Sequence, residues 1–169
     1  KKWLENKFKY YKVKEGSFEK LLERADIIPP SLAIAQAAYE SGWGTSRFAL
    51  EGNSLFGQRT WARNAGIVPL DRGENQTFKV TKFDIIRASV KAYKKNLNSH
   101  ASYEALRQER LLMRENSEVI SGLELSKHLI NYSEIKEKYV FYLQKIIEQN
   151  SLTDFDKSIL LPTKKLNLA

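Results

Sequence analysis

Residues 31–49 read SLAIAQAAYESGWGTSRFA, a run of small apolar residues that ends at two glycines flanking a tryptophan. Small side chains let a helix pack closely against its neighbours, so residues 31–41 are predicted to form a helix at the centre of a helical domain. A Pro-Pro pair precedes this helix, where proline costs little because the first N–H groups of a helix have no partners within it. Gly42 and Gly44 are predicted to end it.

Apolar residues recur at helical spacing on both sides of this segment. The spacing predicts helices over residues 17–25, 86–97, 102–114, 122–130 and 133–149.

The stretch from residue 52 to residue 83 has a different character, because glycine and asparagine are frequent and no helical period survives. Phe78 and Val80 alternate with polar residues, as in a half-buried strand. Residues 67–70 form an earlier candidate strand, and residues 71–73 read as the turn that follows it. These patterns predict a small β-hairpin lobe within a mainly α fold.

Size and composition exclude several classes of protein. The chain has 169 residues, of which 42% are hydrophobic, so it suits one folded domain rather than a disordered segment. No apolar run approaches the roughly 18 residues of a membrane helix, and no integral membrane segment is expected. With no Cys and only two His, a Cys/His zinc site, a disulfide framework and thiol catalysis are excluded.

The net charge of +8 favours an anionic partner such as nucleic acid, an acidic membrane surface or a cell-wall polymer. Nucleic-acid binding would need aromatic and basic residues alternating along one surface, and that clustering is not visible. The chain is divided into a lysine-rich N-terminal extension at 1–16, a domain at 17–150 and a C-terminal tail at 151–169. The β-lobe is placed at about 57–83.

Glu40 is a lone carboxylate at the end of an apolar helix, directly before the Gly-Trp-Gly turn. Apolar neighbours and the partial negative charge of a helix C-terminus both disfavour its ionised form, so its pKa is predicted to be raised. A carboxyl group that stays protonated near neutral pH can act as a general acid. The alternative is a structural ion pair between Glu40 and Arg47.

Residues 52–58 read GNSLFGQ, in which two glycines flank an aromatic side chain. Such a loop can pass close to a ligand or to another backbone. The alternative is a buried turn anchored by Phe56. Trp43, Tyr93 and Tyr132 can likewise stack on sugar faces or fill the core.

These motifs, taken together, resemble the bacterial glucosaminidase superfamily, and most of all its Bax-like branch. The resemblance covers about residues 26–149. It rests on the run 30–49, on EGNSLFGQ at 51–58, and on shorter matches at 83–84, 89–93, 96–98, 132–133 and 139–140.

The resemblance implies a lysozyme-like, mainly α fold with a small β-hairpin lobe, and cleavage of the β-1,4 bond after N-acetylglucosamine in peptidoglycan. It implies that Glu40 is the general acid and that Tyr132 lies near it. The substrate-binding residues expected on this basis are Trp43, Asn53, Phe56, Gln58 and Tyr93.

A second catalytic carboxylate is harder to assign. The hairpin glutamate motif of better-studied relatives is missing, and Asp71 and Glu74 are the acids between residues 57 and 80. An inverting mechanism needs a base carboxylate roughly 6.5–9.5 Å from the acid, with a water between them. A substrate-assisted mechanism uses the acetamido oxygen of the sugar instead. The missing motif favours the substrate-assisted route.

Other functions remain open on sequence grounds. A lytic transglycosylase would use the same Glu40 and release an anhydro-sugar, and a catalytically silent module would bind wall glycan without cutting it. We expect no metal and no nucleotide cofactor, because no phosphate-binding glycine loop and no calcium loop occur. We also expect the chain to be a monomer. Its expected partner is peptidoglycan, in the cell envelope, either periplasmic or secreted.

Overall fold

A computed structural model of the chain describes residues 1–73 and 75–159. Eight α-helices and three short strands are found in that part of the chain. The helices are α1 (Lys2–Tyr10), α2 (Phe18–Arg24), α3 (Pro30–Ser41), α4 (Arg47–Gly52), α5 (Ile86–Ser99), α6 (Glu104–Glu115), α7 (Gly122–Leu125) and α8 (Glu137–Gln149). Turns of 3-10 helix cover Ala101–Tyr103, Ser126–Tyr132 and Leu152–Lys157, and the strands are β1 (Arg59–Thr60), β2 (Gly66–Ile67) and β3 (Lys79–Thr81).

Helix α3 occupies the centre of the domain, as its small side chains predict. Leu32 and Ala35 are fully buried, and the helix packs against α7, α8 and the 3-10 turn at 152–157. Gly42 ends α3 with a left-handed φ of 57°, and the N–H of Trp43 donates to the carbonyl of Ala38. This termination leaves Glu40 on the last turn of the helix.

The β-lobe is a three-stranded antiparallel sheet in the order β1-β3-β2. The predicted strands near residues 67 and 80 are present, although Leu70 lies outside the sheet and is 86% exposed. Strand β1 was not predicted, because two residues are too few to show an alternating pattern. Gly66 lies so close to β3 that a Cβ there would sit 2.5 Å from the carbonyl oxygen of Val80.

The mainly α fold with a small β-lobe is confirmed, but two predicted helices are shorter than expected. The helix predicted at 122–130 leaves the α conformation after Leu125 and continues as 3-10 helix to Tyr132. The Ser126 hydroxyl donates to the carbonyl of Leu123, a local side-chain bond of the kind that competes with regular helix. The helix predicted from residue 133 begins only at Glu137. Residues 131–136 are thereby left free to border a groove.

Both ends of the described chain pack on the domain. In the extension at 1–16, α1 buries Phe8, whose ring meets that of Phe18 edge-on at 5.5 Å. In the tail at 151–169, Leu152 is buried and Asp156 accepts hydrogen bonds from the backbone of Ser31 and of Gly122. Residues 160–169 lie outside the described residues. Within residues 1–73 and 75–159, no helix has the length and apolar character that crossing a membrane requires.

Candidate active site

A groove of about 1020 Å³ lies between the β-lobe and the helical part of the domain. One set of lining residues comes from the loop that enters the lobe, residues 56–59, and from Thr81 and Phe83. The opposite set is residues 131–136, which run from the end of the 3-10 helix to the start of α8. The end of α3 contributes Glu40. The helix-terminating glycine, the short sheet and the interrupted helix before α8 therefore combine to form one open cleft.

Glu40 is half-buried in this groove and has no positively charged partner among the ion pairs of the described residues. Burial raises the pKa of Glu40, and the interaction with the nearby Tyr139 hydroxyl partly opposes that rise. Arg47 is engaged elsewhere, because it lies 3.8 Å from Glu51 and donates to the carbonyl of Val68. The structural ion pair between Glu40 and Arg47 is therefore not formed.

Gly57 brings the loop backbone against the Glu40 carboxyl. Its φ is +60°, and a Cβ built on it would lie 3.3 Å from Oε2 of Glu40. A side chain at this position would strain the backbone and crowd the carboxyl at once. The loop 52–58 is therefore the close approach that its two glycines predict.

Stacked aromatic rings support the groove beside Glu40. Phe56 is 3% exposed and stacks on Tyr93 with ring centroids 4.0 Å apart. The Tyr132 ring is parallel to that of Tyr139 at 5.5 Å, and the Tyr132 hydroxyl donates to the carbonyl of Phe56 at 3.2 Å. Burial and the nearby Glu40 charge raise the pKa of Tyr132 well above its ordinary value. Its hydroxyl therefore stays neutral and available as a hydrogen-bonding group.

A protein-family model described as mannosyl-glycoprotein endo-beta-N-acetylglucosaminidase matches residues 15–152. The chain belongs to the glucosaminidase family. It is 35% identical over 148 residues to the protein named Protein bax of Escherichia coli (strain K12), a match that covers 84% of this chain and 52% of that protein. The chain thus spans about half the length of this curated relative. No solved structure matches it.

The groove brings together four of the residues singled out from the sequence, namely Glu40, Phe56, Gln58 and Tyr132. Asn53 lies beside it, where its side-chain amide donates to the carbonyls of Phe83 and Asp84 and fixes the end of α4 to the segment that follows β3.

Other predicted residues lie away from the groove lining. Tyr93 is 1% exposed and belongs to the core, so it supports Phe56 from behind instead of contacting a ligand itself. Trp43 is 62% exposed on the turn after α3, and Asp71 is exposed in the loop after β2. Neither of these two side chains lines the groove. Glu74 lies outside the described residues.

The candidate site also contains residues that sequence reasoning missed. Gln36 and Tyr139 lie behind Glu40, while Arg59 and Glu134 line the groove and come within 3.9 Å of each other. A signal existed for Gln36, which is a polar residue in the middle of an otherwise apolar helix. Glu134 follows directly on Tyr132-Ser133 in the sequence. The described residues contain no group of three or more His, Cys, Asp or Glu placed to hold a metal ion.

Proposed function

We propose that this chain hydrolyses the glycan strands of bacterial peptidoglycan at the β-1,4 bond after N-acetylglucosamine, with Glu40 as the general acid. The observation that carries the proposal is a carboxyl group of raised pKa, without a cationic partner, at an open groove. A raised pKa keeps a larger share of the carboxyl protonated near neutral pH, which is what a proton donor requires.

The groove suits an extended sugar chain. Its volume of about 1020 Å³ lies at the upper end of the roughly 300–1,000 Å³ of small-molecule sites, and it is open along its length to solvent. Polar lining groups such as Gln58 and Asn131 can bond to sugar hydroxyls, while Phe56 supports the groove wall from beneath. We assign Trp43 to a contact with a sugar unit beyond the groove lining.

Glu40 performs the first chemical step in this proposal. It donates its proton to the glycosidic oxygen as the bond to the anomeric carbon breaks, so that the departing sugar leaves as an alcohol instead of an alkoxide. The acetamido oxygen of the same N-acetylglucosamine unit bonds to the anomeric carbon, and water then opens that intermediate. Tyr132 lies beside Glu40 with a neutral hydroxyl, where it can orient the acetamido group.

The substrate-assisted route fits the acids of the groove. Asp71 is exposed and does not line the groove. Glu134 lines it, but its side chain is 93% exposed and lies near the Arg59 guanidinium. An exposed carboxylate beside a cation is well hydrated, which suits a surface contact with substrate.

The proposed setting is the cell envelope, where the chain acts as a monomer without cofactor or metal. Its net charge of +8 attracts the anionic peptides and polymers attached to wall glycan. That attraction is screened by salt, so binding to whole walls should weaken as ionic strength rises.

Digestion of purified peptidoglycan, followed by mass spectrometry of the new sugar ends, tests the proposal. We expect soluble fragments with reducing N-acetylglucosamine ends from the wild type and none from Glu40→Gln. Anhydro-muramic ends would instead identify a lytic transglycosylase. Binding to walls without release of fragments would identify a silent glycan-binding module.

A further inference from the structure

A buried chain of hydrogen bonds leads from the domain core to Tyr139, whose hydroxyl neighbours the carboxyl of Glu40. The Tyr93 hydroxyl donates to Oε1 of Gln36 at 2.7 Å, and Nε2 of Gln36 donates to the Tyr139 hydroxyl oxygen at 2.8 Å. The Tyr139 hydroxyl is close enough to Glu40 to influence the pKa of that carboxyl. Gln36, Tyr93 and Tyr139 are 0%, 1% and 0% exposed, so water does not compete for these bonds.

Each bond in this chain fixes the direction of the next. A glutamine amide has one oxygen that accepts and one nitrogen that donates, so the group that bonds to the oxygen decides where the nitrogen points. With Tyr93 donating to Oε1, Nε2 of Gln36 faces the Tyr139 oxygen. The Tyr139 oxygen is then an acceptor on that side, which leaves its own hydrogen to point toward the neighbouring carboxyl of Glu40. A bond to an ionised carboxylate is about twice as strong as a neutral one, which favours this order over the reversed one.

We propose that Gln36 is a positioning residue, which turns the Tyr139 hydroxyl hydrogen onto Glu40 and thereby places the acidic proton on the other carboxyl oxygen. A neutral carboxyl carries its proton on one oxygen, and the oxygen that accepts from Tyr139 is the one without it. The proton to be transferred is then held away from the core. The use of this proton in glycan cleavage rests on the proposed function, whereas its position on the carboxyl does not.

The titratable groups that interact with the charge of Glu40 are all tyrosines. They are Tyr39 on the same helix, Tyr103 from the 3-10 turn after α5, Tyr132 and Tyr139. All four have raised pKa values through burial, and the Glu40 charge acts in the same direction on each. The charged residues that share the groove lining with Glu40 are Arg59, Glu134 and Lys136.

Burial raises the pKa of Glu40, and the interaction with the Tyr139 hydroxyl lowers it. The loss of that interaction should therefore raise the pKa of Glu40 further. This effect separates positioning from simple packing, because a cavity or a looser core would change the melting temperature without a directed change in one carboxyl pKa.

The test is a carbon-13 NMR titration of the Glu40 carboxyl, assigned by the resonance that Glu40→Gln removes. Tyr139→Phe removes the donor, Gln36→Met removes the group that directs it, and Tyr142→Phe on the same helix is the matched control. We expect the pKa of Glu40 to rise by about half a pH unit or more in the first two variants and to stay unchanged in the control. The basic limb of the pH–rate profile should move upward with it.

Two results would overturn the proposal. An unchanged Glu40 pKa in Gln36→Met, beside a raised one in Tyr139→Phe, would show that Gln36 does not direct the hydroxyl. An unchanged Glu40 pKa in both Gln36→Met and Tyr139→Phe would show that these hydrogen bonds serve packing alone. If Gln36→Met does not fold, Tyr93→Phe decides the matter, because it keeps the ring stack on Phe56 and should raise the Glu40 pKa by releasing the orientation of Gln36.

The titration does not depend on turnover. If wild-type protein leaves peptidoglycan intact, the proposed function fails while the NMR result still tests the hydrogen-bond chain. If Glu40→Gln abolishes cleavage and the titration shows no change in the variants, the proposed function stands and the positioning role of Gln36 is rejected.

Discussion

Two buried polar clusters of this domain contrast sharply in how they treat charge. Between α2 and α6, Nε of Arg107 lies 3.2 Å from Glu23, and Arg110 pairs with Asp26 while donating to the carbonyls of Glu23 and Ile27. Both arginines are fully buried. Burial lowers the pKa of Arg110 to about 10, so it remains charged at neutral pH. In this cluster every buried cation faces an anion.

Glu40 is buried in part, but it has uncharged tyrosines for neighbours instead of a countercharge. An unpaired carboxyl in a dry setting costs stability, whereas a paired cluster is costly mainly when one member is removed. Buried charge therefore has two different roles in this fold. The paired cluster between α2 and α6 holds helices together, whereas the unpaired Glu40 carboxyl is available to exchange a proton.

The largest expected effect comes from Glu40→Gln, which keeps the shape and removes the exchangeable proton. We expect peptidoglycan cleavage to fall by about 10²–10⁴-fold, the contribution typical of general acid catalysis. The melting temperature should be unchanged or slightly raised, because a poorly solvated carboxyl has been removed. Measuring both quantities on one purified variant decides the point; retained cleavage with lost stability would remove Glu40 from the catalytic role.

Arg110→Met should give the opposite result. It removes the buried cation beside Asp26, which keeps only the half-exposed Arg114, so we expect a loss toward the lower end of the about 3–5 kcal/mol that breaking a buried ion pair from one side typically costs. Urea unfolding should show that loss, while the folded fraction keeps its cleavage rate per molecule. A lower rate at full folding would mean that the paired cluster also shapes the groove. Lys145→Met, from an exposed ion pair with Glu148, serves as the control.

Tyr132→Phe removes a single hydroxyl from the neighbourhood of Glu40. The bond to the carbonyl of Phe56 is lost, while the parallel ring of Tyr139 still supports the aromatic side chain. We expect turnover to fall by about tenfold, or ~1.4 kcal/mol of barrier, with little change in melting temperature. An unchanged rate on peptidoglycan would remove Tyr132 from the site.

The pH dependence of stability should have opposite signs in the two clusters. The folded pKa of Glu40 is raised, so its ionisation destabilises the fold as pH rises above the ordinary glutamate value. Burial acts to raise the pKa of Asp26, but hydrogen bonds from Arg114 and the backbone of Ile27 and the nearby arginine charges lower it overall. The stability that Asp26 contributes is therefore present above its unfolded pKa and lost as pH falls through its folded value.

Melting curves between about pH 3 and pH 8 check this difference. Relative to wild type, Glu40→Gln should gain stability as the pH rises, whereas Asp26→Asn should lose most at neutral pH and approach wild type in acid. If the stability difference from wild type changes with pH in the same direction in both variants, the two clusters do not differ in the way described.

The smallest effect is expected at the β-lobe. Asp71→Asn should lower cleavage by less than about tenfold, because Asp71 is exposed and does not line the groove. Glu74→Gln is expected to behave in the same way if hydrolysis is substrate-assisted. A loss of several hundredfold in either variant would identify a general base and reject the substrate-assisted route.

Sequence patterns predicted the helical core well, because periodicity and breaking residues act locally. Gly42 ends α3 where its position requires, and the 3.6-residue spacing finds α5 and α8. Glu40 also stands out, since a single carboxylate at the end of an apolar helix is visible in the order of residues. These are features that neighbours in the chain determine.

The partners of Glu40 were not predictable in the same way. Gln36, Tyr93 and Tyr139 come from three helices, and the bonds that join them span up to 103 residues of sequence. Tyr93 was therefore predicted as a sugar contact, although the structure buries it. The same limit applies to Arg59 and Glu134, which meet only after the lobe has packed on the domain.

Asp156 has a consequence for the order in which this protein can become complete during synthesis. Its carboxylate accepts hydrogen bonds from the backbone N–H and hydroxyl of Ser31, 125 residues earlier in the chain, and from the N–H of Gly122, so it ties the first turns of α3 and α7 together. Contacts of such long separation form late, since loop closure must precede them. The helix that carries Glu40 is thus locked at its start only when residue 156 has left the ribosome, and a nascent chain that stops at residue 150 holds the proton donor on an unsecured helix.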